Sequence, residues 1–362
     1  MAFKNHRTRF LRDGLVAVTL ILALGMVQQA FASCGAVTCF VTIGSQQQVP
    51  QKGLLTVNAF YNYVPMRLPD GTTGVIPHVD QERRRMTLDE HKELSTITQT
   101  YTLDLNYGMT DRAGLQLTVP YLSRTHDHLG ELGEANAGAG QLVQISDKGI
   151  GDLRLTAKYN VLPTLRSMVV MGAGVDFPTG DSRERSGNPN FADEAPLQLG
   201  RGNVGLIGLI YQTYEVIPHR LNQFAFVSYR HTFRNRDGYQ FGDEYLLNVV
   251  ANLVTVPWLV LTNQLNYRYL VHDNMNGALR QAQRPGDPGF PGDPITIDPT
   301  VKDRRVPNTG STYLAYTPGF LLNLGATTQF YFYAQIPIAR DFNNNLAQGV
   351  SYVVGLTRFF AP

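Results

Sequence analysis

The chain has 362 residues, of which 17% are charged and 43% are hydrophobic, and its formal net charge is +2 at neutral pH. The charged fraction is below the about 25% of ordinary soluble domains, and the near-neutral balance argues against a nucleic-acid partner. After the N-terminus, no apolar stretch approaches the about 18–20 residues that a transmembrane helix needs. A chain that combines 18 Tyr and 18 Phe with little charge is more typical of alternating β-strands.

The N-terminus has the three parts of a secretory signal peptide. Basic residues at positions 4–12 precede an apolar stretch at 14–27, and Ala30-Phe31-Ala32 fits the pattern of a cleavage site. The sequence therefore predicts a signal peptide over residues 1–32 and a periplasmic segment over 33–52. Two other interpretations stay open: a retained anchor, and a lipoprotein modified at Cys34, which Phe31 fits poorly.

Cys34 and Cys39 are the two cysteines of the chain. Export to an oxidising compartment favours a small local disulfide between them. A two-thiol metal or redox site is the alternative, although further ligands are not in view. Neither cysteine belongs to the C-x-x-C-H motif that attaches a c-type haem. We therefore predict no cofactor and no metal for this chain.

Apolar and polar residues alternate with a period of two along most of the chain, which predicts β-strands. Between 101 and 107, for example, Tyr and Leu side chains share one face while Thr, Asp and Asn share the other. The alternating runs are about 10–13 residues long. Soluble strands usually have about 5–6 residues, whereas a tilted strand needs about 9–11 to cross a bilayer.

About twelve such strands are predicted, and their connections alternate between short and long. The predicted strands are 53–65, 96–108, 113–124, 149–160, 166–178, 201–214, 221–234, 242–255, 258–271, 311–322, 326–338 and 350–360. Short periplasmic turns and long external loops are typical of bacterial outer-membrane barrels. The predicted fold is an all-β, antiparallel, up-and-down transmembrane barrel over residues 53–362.

In such a barrel the apolar face of each strand contacts lipid and the polar face lines the lumen. A lumen of about twelve strands is wider than one filled by side chains and narrower than an open porin. The charged residues at polar-face positions are Asp104, Asp152, Arg154, Lys158, Asp176 and Arg268. Two interpretations of them stay open: they set permeation selectivity, or they pair with each other and stiffen the wall.

No catalytic motif is found. The chain lacks a G-x-S-x-G elbow, a P-loop and an H-E-x-x-H motif, so we do not expect an enzyme. The triplet His126-Asp127-His128 could ligate a metal, but we expect it to be a solvated part of an external loop.

Three segments resemble an outer-membrane transporter family that is named for the meta-pathway of phenol degradation. They are the glycine-aspartate strand opening that ends in Lys-Tyr at 149–159, the Pro-Thr-Gly strand end within 174–181, and the Tyr-Gly-Met-Thr-Asp turn at 107–112. The resemblance implies a passive channel for small solutes, including hydrophobic or aromatic compounds, in the outer membrane.

Two further hypotheses belong to other classes. A structural or adhesive barrel would bind a partner through its external loops, its lumen plugged by the 272–310 loop or by the tail around the cysteines. A sheath for an electron-transfer protein would need a partner that supplies the haem. Expected partners are the lipid bilayer, small solutes and the barrel-assembly machinery. Both a monomer and a homo-oligomer fit the sequence.

Overall fold

In the computed structural model, this protein is a closed, antiparallel β-barrel of twelve strands. The structure describes residues 40–82, 85–129, 140–164, 166–186, 192–276, 278–281 and 304–361. The predicted signal peptide, both cysteines and much of the 272–310 loop lie outside these ranges, so they stay predictions. No helix in the described ranges is long and apolar enough to cross a membrane.

Most of the chain forms long strands, and several shorter strands lie in the connections between them. The strands are β1 (Leu55–Arg67), β2 (Val75–Asp80), β3 (Arg85–Gly108), β4 (Ala113–Leu129), β5 (Leu142–Ile150), β6 (Leu153–Asn160), β7 (Ser167–Phe177), β8 (Gly205–Ile217), β9 (Leu221–Thr232), β10 (Tyr239–Gln240), β11 (Glu244–Val256), β12 (Leu259–Leu270), β13 (Asn274–Met275), β14 (Ala278–Gln281), β15 (Arg304–Arg305), β16 (Ser311–Asn323), β17 (Thr328–Asp341), β18 (Ala347–Gln348) and β19 (Ser351–Phe360). The helices are α1 (Gly44–Gln47) and a 3-10 turn at Ala195–Leu197.

Each wall strand pairs with its neighbours in the sequence, which is the up-and-down order that was predicted. The barrel closes where β1 pairs with β19 on one side and with β3 on the other. Strands β5 and β6 occupy one position in the wall, because β4 pairs with β5 in its upper part and with β6 in its lower part. The wall therefore closes on itself through β4 and β6, which pairs its backbone groups as a bilayer requires, while β5 pairs with β4 alone among the described strands.

The predicted facing of the strands is confirmed by side-chain exposure. On β3, Tyr101 is 51% exposed and Leu103 is 39% exposed, whereas Thr102 and Asp104, which alternate with them, are 8% and 3% exposed. The same alternation recurs along β6 and β12. Large apolar side chains thus cover the outside of the wall, where lipid replaces water.

We expect Leu117→Arg on β4 to destabilise the inserted barrel, because its side chain faces outward. An arginine at mid-bilayer costs about 2–4 kcal/mol. Thr118→Arg is the matched control, since Thr118 faces the lumen and its hydroxyl hydrogen-bonds Asp104. Urea unfolding in lipid vesicles measures both variants, and conductance should change only in Thr118→Arg. Equal destabilisation of the two variants would contradict the facing assignment.

The structure corrects several predicted boundaries. Residues 66–95 and 125–148 were expected to be loops, but β2, the upper part of β3, the end of β4 and β5 extend through them. The reason is that the β3–β4 ladder continues as far as the pair of Lys92 and Leu129. Strand β4 therefore contains His126 and His128, whose side chains are buried rather than solvated.

The predicted strand at 149–160 is broken by Gly151 and Asp152, which belong to neither β5 nor β6. A Cβ atom at Gly151 would lie 2.4 Å from Leu122 Cδ1, so only glycine fits this break. The external loops above it fold inward: residues 192–200 are all buried, and β10, β13 and β15 form a small sheet. The external end of the barrel is therefore covered by its own loops.

Candidate permeation pathway

Residues 40–50 of the segment that was expected in the periplasm (33–52) lie inside the barrel, whereas Gln51 and Lys52 are exposed beside its periplasmic end. We call residues 40–50 the N-terminal tail. The chain enters near Leu54, next to the periplasmic end of β3 at Gly108, and the tail rises through the lumen to Phe40, which packs edge-to-face against Tyr313 at 5.8 Å between ring centroids. The lumen is therefore partly filled by the chain's own N-terminal segment.

Apolar side chains of the tail dock on apolar patches of the inner wall. Val49 joins a cluster on the inner face of β7, β8, β9 and β11, and Ile43 joins a second cluster on β17 and β19. Phe40 packs against a third cluster that includes Tyr313 and Phe342. These contacts remove apolar surface from water, which favours the docked tail.

Polar groups of the tail are hydrogen-bonded to the wall as well. The Thr42 amide donates to Gln264 Oε1 at 3.2 Å, and Gln264 Nε2 donates back to the Thr42 carbonyl at 3.1 Å. Asn248 Nδ2 donates to the Phe40 carbonyl at 3.0 Å. Further down, Asn106 Nδ2 donates to the Gln48 carbonyl at 3.0 Å. Wall side chains thus supply partners for backbone groups that have no strand neighbour.

Two of the predicted lumen residues, Asp104 and Lys158, lie in this lower part of the pathway. Asp104 accepts a hydrogen bond from the Thr118 hydroxyl, and Lys158 Nζ donates to the Gln46 carbonyl of the tail. Both side chains are buried, at 3% residue exposure each. Lys158 therefore contacts the tail directly, a role that the sequence did not indicate.

Arg154 and Asp176 form the centre of a charged row higher on the wall. They are directly opposite across β6 and β7, with Arg154 Nε 2.7 Å and Nη2 3.2 Å from the two Asp176 oxygens. Arg230 continues the row, with Nη1 3.6 Å from Asp176 and Nη2 3.5 Å from Glu244. Mutual pairing, one of the two interpretations offered by the sequence, therefore describes these residues.

Arg268 lies apart from the other predicted residues, in an aromatic cage. Its guanidinium carbon is 5.2 Å from the Phe40 ring centroid, 5.6 Å from Tyr313 and 5.9 Å from Phe342. These distances are within the range of cation–π attraction. The residue is 2% exposed and helps to hold the upper end of the tail.

Asp152, the last predicted lumen residue, ties the base of the loop that follows β7. Its carboxylate accepts hydrogen bonds from the amides of Gly180 at 3.1 Å and Arg201 at 2.9 Å. Beside it, the Thr179 hydroxyl donates to the Gly151 carbonyl at 2.8 Å. The glycine-aspartate and Pro-Thr-Gly segments singled out in the sequence are therefore hydrogen-bonded to each other at the base of this loop.

Arg124 holds the inner part of the same loop, which we call the inward loop (residues 192–200). Its Nη1 lies 3.1 Å from the Pro196 carbonyl, 2.6 Å from that of Leu197 and 3.1 Å from that of Gln198. The side chain projects from β4 and is 4% exposed. One buried guanidinium thus satisfies three carbonyl groups that have turned away from the wall.

Cavities remain in the lumen between the described residues. One of about 280 Å³ lies under the inward loop and is lined by the charged row, by Arg201 and by apolar side chains; we call it the chamber. Another of about 720 Å³ borders the tail and the periplasmic turns. Burial, with the nearby charge of Arg230, lowers the pKa of Arg201 to about 10, while burial raises the pKa of Asp273.

The buried histidine of β4 is engaged with its own neighbours. His126 Nδ1 shares a hydrogen bond of 2.8 Å with the Thr96 hydroxyl, and Nε2 is 3.3 Å from Glu93 Oε2. Over the described ranges, no group of three or more His, Cys, Asp or Glu side chains is arranged to hold a metal ion.

Residues 93–302 match the profile of the family described as "Putative MetA-pathway of phenol degradation". The match covers more than half of the chain. The chain belongs to this family. The family that the three sequence segments predicted is therefore confirmed. A comparison of this member of the phenol-degradation meta-pathway family with curated proteins gave no match.

Solved structures include barrels that are similar to this family member. An outer membrane channel from Pseudomonas putida F1 is 13% identical, with a TM-score of 0.53 over 89% of this chain and 100% of that one. The toluene transporter TbuX from Ralstonia pickettii is 9% identical, with a TM-score of 0.40 over 92% and 96%. The likeness to the first of them shows that this family member shares its barrel fold.

Some pathway residues of this family member were missed by the sequence analysis. Arg230 and Glu244 lie in predicted strands and could have been found by extending the polar-face count to the strand ends. Arg124 and Arg201 lie at the ends of the predicted strands 113–124 and 201–214 and would have been found by the same extension, but their partners belong to a loop or are distant in sequence and could not be predicted. Burial in the inward loop follows from long-range contacts, which no local pattern reports.

Proposed function

We propose that this protein is a passive outer-membrane channel for small solutes, including hydrophobic or aromatic compounds, and that it is not an enzyme. The observation that carries the proposal is the lumen itself: a closed twelve-strand wall still encloses cavities of about 280 Å³ and 720 Å³ next to the tail and the inward loop. Cavities of this kind accept small organic molecules.

The composition of the inner wall supports a solute with an apolar part. Both cavities combine polar residues with aromatic ones, for example Phe60 and Phe241 in the chamber and Phe224 and Tyr333 in the larger cavity. The family description, which refers to phenol degradation, supports aromatic solutes. The six lumen residues predicted from the sequence would shape the selectivity of this path by their fixed charges.

Conductance of the refolded protein in a planar bilayer tests the channel. We expect stable open steps, and we expect phenol to reduce the open current more than glycerol at the same concentration, because an aromatic ring is retained longer by the apolar inner patches. Folding is checked by electrophoresis, because a folded barrel changes its mobility when the sample is heated. A folded protein that inserts and never gives current steps would overturn the proposal.

The second candidate is a structural or adhesive barrel with external partner-binding loops. The tail in the lumen and the inward loop favour it, since both occupy the path. The two candidates separate when the tail is released. A barrel that stays silent even after release of the tail would favour the adhesive role, whereas current from the native protein favours the channel.

A further inference from the structure

We propose that the chamber under the inward loop is a binding site for the carboxylate of a small organic acid, held by the guanidinium groups of Arg201 and Arg230. This inference deepens the proposed channel function and depends on it for the access of the solute to the chamber. The class of ligand is an anion with an apolar or aromatic body. The strand pattern placed Arg201 at the start of the predicted strand 201–214 but gave no sign of a binding site there.

Arg201 has hydrogen-bond donors to spare. Its Nη1 donates to the Thr232 hydroxyl at 2.8 Å, and its guanidinium carbon lies 4.8 Å from the Phe241 ring centroid. Within the described part of the chain, no carboxylate lies at ion-pair distance from this guanidinium. The aromatic ring covers one face of the group, so its edge is left for a planar acceptor such as a carboxylate.

Arg230 adds a second donor on the same side of the chamber. Two of its nitrogens reach Asp176 and Glu244, while its buried Nε has no hydrogen-bond partner among the described residues. Both arginines line the chamber, and the positive charge of Arg230 is near enough to lower the pKa of Arg201. Asp176 and Glu244 are near enough to act on Arg201 as well, so the two arginines are an anion site because of the donors that they leave unused, in particular Arg230 Nε.

The carboxylates of the chamber are already provided with donors. Asp152 accepts from two backbone amides, and Asp273 accepts from the Gly242 amide at 2.7 Å and from the Tyr239 hydroxyl. Asp176 is paired bidentately with Arg154. Glu244, the fourth carboxylate of the lining, is 3.5 Å from Arg230 Nη2. Each carboxylate of the lining therefore has a donor near it, whereas Arg230 Nε has no partner among the described residues, so an anion is favoured over a cation.

Apolar side chains beside the charged row give the ligand its apolar part. They are Phe60, Pro120, Leu122, Leu199 and Leu270. A cavity that combines charged donors with apolar side chains can orient a solute with one ionised end. The volume of about 280 Å³ restricts such a solute to a small acid.

Isothermal titration of the refolded full-length protein with benzoate and with benzyl alcohol tests this site, since the two probes share a ring and differ in charge. We expect benzoate to bind at least about tenfold more tightly, and we expect Arg201→Gln to weaken benzoate binding by about tenfold while leaving benzyl alcohol unchanged. Arg112→Gln, on an exposed periplasmic turn, is the matched control and should bind benzoate like the native protein.

Arg201→Lys keeps the charge and replaces the forked donor by a single ammonium, so its affinity for benzoate should be lower than that of the native protein. If the electrophoretic heat shift shows that Arg201→Gln does not fold, Arg201→Lys is used as the test variant instead. Equal affinity for both probes, or an unchanged benzoate affinity in the folded Arg201 variant, would overturn the site. A protein that conducts ions but shows no selectivity for benzoate would contradict the proposed site and support the proposed channel. A protein that binds benzoate but does not conduct would support the site and contradict the channel.

Discussion

Replacing the tail residues 40–48 by a glycine-serine segment of the same length should raise the open-channel conductance several-fold. The tail crosses the lumen between its apolar contacts at Phe40, Ile43 and Val49, and the replacement removes the first two of them. Glycine and serine side chains bury almost no apolar surface, so the segment would lose the free energy that holds it against the wall. Ions would then pass through a wider section.

The measurement is single-channel recording on native and replaced protein at the same salt concentration. Two single substitutions act as matched variants: Ile43→Asp places a charge in the apolar cluster near Tyr331 and Tyr333, whereas Ser45→Thr changes size but not polarity. We expect the first to resemble the replaced tail and the second to resemble the native protein. Equal conductance of the native and replaced proteins would show that the path of ions avoids the tail.

Arg124→Ala should release the inward loop, and this is the second large effect. The substitution leaves three buried carbonyl groups, at 196, 197 and 198, without the donor they share. Each unsatisfied buried group costs about 1–3 kcal/mol, so the loop would leave the lumen rather than stay. Amide hydrogen exchange within 192–200 should become faster, while exchange in the wall strands stays slow.

Arg124→Lys is the control for this variant. An ammonium group can reach one or two of the carbonyls but lacks the planar fork, so intermediate exchange is expected. The same series in planar bilayers should give larger conductance in the order native, lysine, alanine. Unchanged exchange at Leu197 and Gln198 in the alanine variant would mean that other contacts, such as those of Gln198 with Glu184, hold the loop.

The barrel could be predicted from the sequence because each wall residue meets one of two environments. Lipid outside and a polar interior impose a period of two, and residues such as Tyr101 and Asp104 follow it directly. The number of strands and the rhythm of their connections follow from the same pattern. The upper parts of β3 and β4 were missed because they extend past the lipid, where both faces can be polar.

A tail inside the lumen was offered by the sequence as one alternative, but its contacts could not be predicted, and the exceptions to the alternation explain why. Phe224 and Phe226 face the lumen, as do Tyr331 and Tyr333, although the pattern assigns apolar groups to lipid. In the structure they are the sites on which Val49 and Ile43 dock. A single strand shows an apolar residue on its inner face but gives no sign of what covers it. Only the three-dimensional arrangement joins these residues to a segment some hundreds of positions away.

The course of the tail has a practical consequence for anyone who labels or immobilises this protein. Phe40 lies well inside the wall, beside Arg268. A fluorescent dye attached at this position would have to share the interior with the solute. Phe360, by contrast, ends β19 at the rim next to the start of β1, so reporters attached after it leave the interior as it is.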